Sequence, residues 1–441
     1  MDDVKSKKTQ EIKGDDFSEL IKLVLFSGIG CCIFFLPLSI NRQVVFPVFF
    51  ITNLVYLKYE GFVYICIIVF IALLAIKEIA KNEKTLIDKV DIVLKFISLL
   101  ILIVLTTKNE FIFFKDENLI QIMKESIFKI IIFLPISSIF LPFLLDYGLL
   151  YVFDCCFGRF TKKFFRVSGK NILICALFFF VDGFLGFYVI YKLYKEGRLR
   201  KNEAISGILN YPILHISIVV YIADQLKINF LPLIICYLFV FIITNLIICR
   251  IYPIKNKEKT FFIKNKFKEK SFKRNKLKMS ILLYLENSQK KNLFKTILRN
   301  FNETINIASN IIPILLIVFL FIDIITRNVN IVNTIGWGYE VILTKLKMPY
   351  PDYISKSIVL GFFNQIYSIE VLNNGITFIS RLTIAIIIIC QGISLTTNII
   401  FIRVYMRFID YKDIVLVYLE KILIMTFIIF IIYYFYLGFS A

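Results

Sequence analysis

Apolar runs of about twenty residues recur along this chain, separated by short segments that collect Lys and Arg. A helix needs roughly 20 apolar residues to cross the hydrocarbon of a bilayer. Runs of this kind occupy residues 20–40, 61–79, 92–107, 128–153, 204–223, 230–250, 307–325, 382–402 and 415–436. Their apolar residues are continuous rather than alternating, which excludes a transmembrane β-barrel. With 58% hydrophobic residues and a mean hydropathy of +0.78 over 441 residues, the chain reads as an all-α, polytopic integral membrane protein. The stretch 44–57 is interrupted by Pro47 and Asn53 and reads as interfacial. The run at 20–40 exceeds a signal-peptide core and has no small-residue cleavage site after it, so it reads as a retained span.

One further stretch, residues 171–191, is apolar, yet positive charge stands on both sides of it. Arg159, Lys162, Lys163, Arg166 and Lys170 precede it, and Lys192, Lys195, Arg198, Arg200 and Lys201 follow. Lys and Arg collect in cytoplasmic loops, so a single crossing would put one cluster on the wrong side. Asp182-Gly183 sits at the midpoint, where a charge meets the most permissive residue. Each half has about ten residues, too few to span. The stretch therefore reads as a re-entrant helical hairpin with a polar tip. Such irregular backbone is tolerated at membrane depth only where protein or a water-filled cavity covers it.

Twelve Lys or Arg between Arg250 and Lys278 face only Glu258 and Glu269, so the loop 251–305 is expected in the cytoplasm. Counting outward puts the N-terminus and segments 80–91, 154–170 and 194–203 on the same side. Segments 41–60, 108–127, 224–229 and 327–355 fall outside. The net charge of +20 reads as orientation and contact with anionic lipid, not as nucleic-acid binding.

A second interrupted segment runs from Ser355 to Asn374, with Gly361, Asn364, Gln365 and Glu370 inside it. FRVSGKN at 165–171 corresponds to LKMPYPD at 346–352. NYPILHISIVV, from Asn210, corresponds to the IIIICQGISLT that ends at Thr396. Both units read span, hairpin, span, span, entered from opposite sides: an inverted repeat. The expected organisation is therefore N-terminal helices at 1–127, a first gate-like repeat at 128–250, the basic loop at 251–305 and a second repeat at 306–441. About nine spanning helices and two re-entrant hairpins make up the whole.

Asp182 and Gly183 at the first tip are the sharpest candidates for binding, because an ionisable side chain at membrane depth is costly unless paired or wet. A helix cap is the plainer role for Asp182. Asn364 and Gln365 hold the equivalent place, and their amides suit a neutral ligand such as a nucleobase or ribose. Glu370 reads either as a contact to a hydroxyl or proton, or as a residue of the outer mouth. Asn210 and His215 flank Pro212, which loosens that turn. Gln391, with Ser394 and Thr397 after it, falls at the matching point of the second repeat. One His and no useful Cys spacing argue against a metal centre, and GxxxxGK[ST], HExxH and GxSxG are all absent. No enzyme, cofactor or metal is expected; the coupling ion, H⁺ or Na⁺, is open, as is a homo-oligomer.

LPLSINRQVVFP after the first span, LPFLLDYGLLYVF, FRVSGKN, YKLYKEGRLRKNEA and the C-terminal KMPYPDYISKSIVLGFFNQ resemble the YjiH-type membrane proteins that carry a nucleoside-recognition gate domain. The resemblance covers nearly the whole chain. It implies kinship with concentrative nucleoside transporters and with the membrane part of ferrous-iron permeases, hence two hairpins and a transporter in the cell membrane. Where that family tends to an acidic residue in the second hairpin, this chain has Asn364; where it tends to Ser-Glu after the glutamine, this chain has Leu395-Thr396. Those departures favour proton coupling or facilitated diffusion over sodium. The rivals are a metal-ion permease and a non-transporting gate-domain assembly or signalling component. In a cysteine-free background, single cysteines at Lys163 and Arg200 should both react with an impermeant maleimide from the cytoplasm. Reaction from opposite faces would remove the hairpin and the inverted repeat together.

Overall fold

Every helix in this chain must hide its backbone polarity within itself or against a neighbour, and the architecture follows from where that fails. The structure, a computed structural model, describes residues 14–40, 43–80, 86–106, 114, 116–263, 281, 284, 292–371 and 377–440. Residues 264–280, 282–283 and 285–291 of the basic loop thus lie outside the described residues. Helices α1 (Gly14–Phe35), α2 (Pro47–Ile79) and α3 (Leu86–Thr106) come first, with a short antiparallel ribbon of β1 (Leu38–Ile40) and β2 (Gln43–Val45) after α1. Residues 47–58, read as interfacial, are helical and run into the apolar part of α2 across a kink at Tyr59.

Two groups of helices then follow in one order. The first group is α4 (Glu117–Leu145), α5 (Leu149–Phe164), α6 (Lys170–Phe180), α7 (Gly183–Lys195), α8 (Lys201–Leu209), α9 (Ile216–Gln225) and α10 (Phe230–Ile248). The second is α11 (Leu293–Thr326), α12 (Val329–Lys345), α13 (Pro351–Phe363), α14 (Phe378–Gln391), α15 (Ile400–Tyr405) and α16 (Tyr411–Ser440). The correspondence read from the sequence holds to the residue at the foot of each broken helix. Arg166 in FRVSGKN and Lys347 in LKMPYPD both take left-handed backbone, with φ of 59° and 53°. Helices α6 and α13 then start at the matching positions, Lys170 and Pro351.

Among the described residues, six helices are long and apolar enough to cross a membrane: Gly61–Ile79, Glu117–Leu145, Phe230–Ile248, Leu293–Thr326, Phe378–Tyr405 and Tyr411–Tyr434. The sequence reading counts about nine. The runs at 20–40, 92–107 and 204–223 have no counterpart among the six. The run at 128–153 keeps its span but is cut after Leu145 by a turn in which Gly148 takes φ of 98°. Averaged hydropathy conceals that turn. The run at 204–223 is cut in two at 210–215. In the basic loop, α11 already begins at Leu293, and α12 fills much of the segment read as an external connection. Burial ranks the spans: 11% of the Gly61–Ile79 window is covered by protein against 83% of Phe378–Tyr405, so the interrupted second-repeat helix is the centre of the bundle. The outer helices present large apolar side chains outward, among them Phe62, Leu231 and Trp337. Such a belt suits hydrocarbon rather than water.

The first broken pair is two short helices joined at Val181–Asp182. Helices α6 and α7 lie side by side, with Phe178 and Phe187 edge to face at 5.1 Å. Gly186 makes that approach feasible, because a Cβ there would meet the Phe178 ring at 2.6 Å. The second pair differs: α13 is followed by a 3₁₀ turn at Tyr367–Val371 rather than a returning helix. At the foot of the first hairpin the KEGRLRKNE motif acts as a clamp. Gly197 turns the chain with φ of 69°, and Arg198 reaches Asp146 at 3.0 Å. Buried Glu203 accepts from the Ser168 N–H at 2.6 Å and the Arg200 N–H at 3.0 Å. Lys192 bonds the Asn300 side chain, and the Tyr188 hydroxyl donates to Glu303 at 3.0 Å, tying α7 to α11.

Gly186→Ala should therefore push α6 and α7 apart and destabilise the protein by about 1–3 kcal/mol. Gly338, inside α12, faces open space: a Cβ on it would meet nothing within 4 Å, and Gly338→Ala should stabilise by about 0.5–1 kcal/mol. Opposite signs in detergent-phase thermal unfolding are the expected result.

Candidate functional site

Four interruptions of helix converge at the middle of the bundle. The first is Val181–Asp182 between α6 and α7, and the second is Asn364 after α13. The third is the extended run 210–215 between α8 and α9, and the fourth is 392–394 after α14. Asp182, Gly183, Pro212, Ile213, Leu214, His215, Asn364, Gln365, Gly392 and Ser394 line one inner cavity of about 100 Å³, with Thr396 and Thr397 beside them. Phe178, Phe184 and Phe187 form its apolar wall. A larger outer cavity of about 420 Å³ adjoins it, walled by Phe46, Phe49, Asn53, Asn118, Gln121, Glu125, Ser217 and Tyr221. Both cavities are bordered by Lys129, Asp182, His215, Ile218 and Ile366, so these residues form the neck between them.

Each interruption strands backbone groups, and one polar side chain answers for each. Asp182 is 6% exposed and caps α7, its Oδ1 accepting from the Phe184 N–H at 2.8 Å. The cap and the cavity position coexist in this residue. His215 bridges two interruptions. Its Nε2 lies 2.9 Å from the Phe180 carbonyl at the end of α6, and its Nδ1 accepts from the Ser217 N–H at 3.2 Å to cap α9. A carbonyl needs a donor and an amide needs an acceptor, so the Nε2–H tautomer satisfies both. Asn364 accepts from the Ile366 and Tyr367 N–H groups at 2.9 and 3.2 Å, and donates to Thr396 Oγ1 at 3.1 Å. The Thr396 hydroxyl donates in turn to the Phe363 carbonyl at 3.1 Å.

The other predicted residues divide. Ser394 and Thr397 share a hydroxyl–hydroxyl bond of 2.6 Å at the cavity wall. Gln391 is fully buried behind the cavity rather than in it: it donates to the Ile358 carbonyl at 2.8 Å and bonds the Tyr418 hydroxyl, bracing α13. Gly361 leaves the room for that amide, since a Cβ there would lie 2.3 Å from Gln391 Oε1. Asn210 is also fully buried, and both atoms of its side-chain amide lack a partner. The side chain of Glu370 lies outside the described residues.

Three residues that the sequence reading passed over are central here. Lys129 opens the π-helical turn Lys129–Phe133 in α4 and stands at the neck. Single π turns inside helices are frequent at functional sites, because the extra residue re-aims a side chain. Asn398 is fully buried and donates to the Gly392 carbonyl at 3.0 Å and the Ile208 carbonyl at 3.4 Å, while its Oδ1 accepts from the Ser394 N–H. Lys421 is 1% exposed and donates to the Asn210 carbonyl at 3.2 Å. Lys129 is a lone charge in an apolar run, which was the available signal; Asn398 follows Thr396-Thr397, and Lys421 follows Glu420. Among the described residues no three His, Cys, Asp or Glu side chains gather as a metal site.

An uncharacterized protein of Alkalihalophilus pseudofirmus is 22% identical to this chain over 233 residues, 51% of this chain and 50% of that protein. The chain thus spans about half the length of the curated relative it matches. No family model and no solved structure matches. Asn364→Ala should leave two amides at the second tip without an acceptor and cost about 1–3 kcal/mol. Gln365→Ala, at the cavity wall, should change thermal unfolding little. Equal losses for the two would show that Asn364 does not hold the tip.

Proposed function

We propose that this protein is a secondary transporter in the cell membrane that binds a nucleoside or a related small polar solute between its two broken-helix tips. The observation that carries the reading is the convergence of all four helix interruptions on one cavity. Unwound segments give a site free backbone groups and half-helix ends, and they also hinge. A scaffold would gain nothing from leaving polar tips around a space, whereas tips packed dry against each other would suit one. The two repeats share one element order and interlock at their interruptions, as expected of an inverted pair that rocks around a central site.

With the basic loop and the N-terminus in the cytoplasm, the outer cavity opens on the external side, since segments 41–60 and 108–127 border it. The cytoplasmic side is shut by the Arg198–Asp146 pair, the Arg299–Glu196 pair and the Lys192–Asn300 bond. This arrangement is an outward-facing state. Ligand pockets for small organic molecules run to about 300–1,000 Å³. The outer cavity meets that range and the inner one does not, so the solute enters against Phe46, Phe49 and the neck and draws the tips apart. Aromatic walls beside amides suit a base with hydrogen-bonding edges. Lys129 and Asp182 put a donor and an acceptor at the neck, which suits a polar solute without net charge.

A thermal-shift screen of the purified protein against nucleosides, nucleobases and divalent metals identifies the ligand through its stabilisation of the folded state. Uptake of that ligand into proteoliposomes should then fall roughly five- to a hundredfold in Lys129→Met and Asp182→Asn, with insertion intact. Gln391→Ala should act through α13 and lower stability as well. Full uptake in both neck variants would make the tips structural.

A further inference from the structure

A third cavity, of about 280 Å³, lies where α2 and α3 meet α11 and α15, and the proposed solute site shares none of its walls. It stands toward the basic loop, since Asp413 at the start of α16, just after this wall, bonds Lys257 of that loop. Charged side chains line it: Glu78 from α2, Asp91 and Lys95 from α3, Arg403 from α15 and Arg407 just beyond. Asp91 and Lys95 are four residues apart and so share one face of α3.

Two of these charges cancel. Lys95 is 4% exposed and donates to Glu78 Oε1 at 2.5 Å. Glu78 Oε2 is buried with no partner, an acceptor left without a donor at the cavity wall. The remaining charges do not close on one another: among the described residues, no ion pair joins Asp91 to Arg403 or Arg407. Arg407 spends its Nε on the Arg403 carbonyl at 3.3 Å, which leaves its terminal nitrogens for the cavity. The Arg403 guanidinium makes no hydrogen bond among the described residues. On the α11 side the wall is already satisfied, with Asn310 Nδ2 donating to the Tyr405 hydroxyl at 3.4 Å. Acceptors on α2 and α3 thus share one space with donors at the end of α15.

Opposite charges that border a space without pairing each want a partner from outside the chain. A ligand of one sign meets repulsion from half of such a wall, whereas a molecule with a positive and a negative end meets both halves. Two guanidiniums favour phosphate, whose oxygens take several N–H donors at once. A carboxylate favours a primary ammonium, which has three N–H donors. Apolar side chains next to the charged ones in sequence, Ile76 and Ile79 on α2 and Val90 and Val93 on α3, are exposed and offer acyl chains a surface beside the cavity. We propose that this cavity binds a zwitterion in which a primary ammonium is linked to a phosphate, the ammonium at Asp91 and the phosphate at Arg403 and Arg407, and that a phospholipid headgroup supplies it. The bound headgroup fastens the N-terminal helices to the second helix group. No transported solute enters the inference, so its failure and that of the transporter reading are separately visible.

The test is native mass spectrometry of the full-length protein, delipidated in detergent and offered equal amounts of phosphatidylethanolamine, phosphatidylcholine and phosphatidylglycerol with the same acyl chains. The choline headgroup keeps phosphate and positive charge but has no N–H, and the glycerol headgroup keeps phosphate alone. Wild type should retain phosphatidylethanolamine over each of the others by roughly fivefold or more. Asp91→Asn should abolish the preference over phosphatidylcholine. Arg403→Gln combined with Arg407→Gln should lower phosphatidylethanolamine binding by a similar factor. Free phosphoethanolamine should leave the Tm of wild type unchanged. A rise in Tm with phosphoethanolamine that Asp91→Asn removes, without any lipid preference, would keep the site and make the free molecule its source. Equal retention of the three lipids with no response to phosphoethanolamine would overturn the proposal, as would a preference for phosphatidylglycerol. A preference for phosphatidylethanolamine that survives both Asp91→Asn and the double arginine variant would also overturn it. Should a variant fail to fold, the wild-type comparison of the three headgroups still decides.

Discussion

The structure depends on how an apolar interior satisfies backbone that is not helical. Every unpaired N–H or C=O there costs several kcal/mol, so each interruption must be answered by a partner. Here the partners come from other interruptions. His215, in the break after α8, accepts and donates so as to serve both α9 and the end of α6. Thr396, in the break after α14, ties Asn364 and the last carbonyl of α13. Asn398 joins the Gly392 carbonyl to the Ile208 carbonyl across the two repeats. No tip can shift without disturbing a bond that another tip needs. Coupling between sites needs an element with two arrangements that both sites bias, and a chain of bonded breaks is a physical candidate for one.

The two helix groups match at the feet of their broken helices and diverge at the tips. Arg166 and Lys347 turn the chain alike, and α6 and α13 begin in register. After the tip, α7 returns as a full helix packed through Gly186 onto Phe178, while the second repeat returns through a 3₁₀ turn. That turn is held from outside the repeat, by the Tyr367 hydroxyl donating to Asp116 at 2.6 Å. Asn364 accepts from the Ile366 and Tyr367 N–H groups, and Ser368 donates to the Gln365 carbonyl at 2.7 Å, so the turn also carries local bonds.

Much of this was legible in the sequence where a rule concerns position. Charge on both sides of 171–191 forces a hairpin, and Asp182-Gly183 marks its tip. Pro212 marks the loosened turn, and FRVSGKN set against LKMPYPD finds the feet. What escaped were features with no positional rule. Averaged hydropathy runs straight over the Asp146–Gly148 turn, where a single left-handed glycine redirects the chain. Lys129 reads as the edge of a span until a π turn aims it inward. Gln391 aligns with the break after α8 but is drawn back to brace α13, because Gly361 leaves a gap that an amide fills. Sequence spacing locates a residue along a helix; which neighbour has room for it is decided by packing.

Cost decides which of the lone polar residues carry weight. A charged or amide side chain at membrane depth persists only where it is paired, hydrogen-bonded or wet. Asp182 meets that condition with a backbone cap at the edge of a cavity, Asn398 with three backbone partners, and Lys192 with the Asn300 side chain. The Asn210 amide meets it with nothing: both of its polar atoms are buried without a partner. Unsatisfied groups of this kind raise the energy of the conformation that contains them relative to one in which they are paired. The proposed outward-facing arrangement therefore holds an unanswered amide at the joint of its two halves.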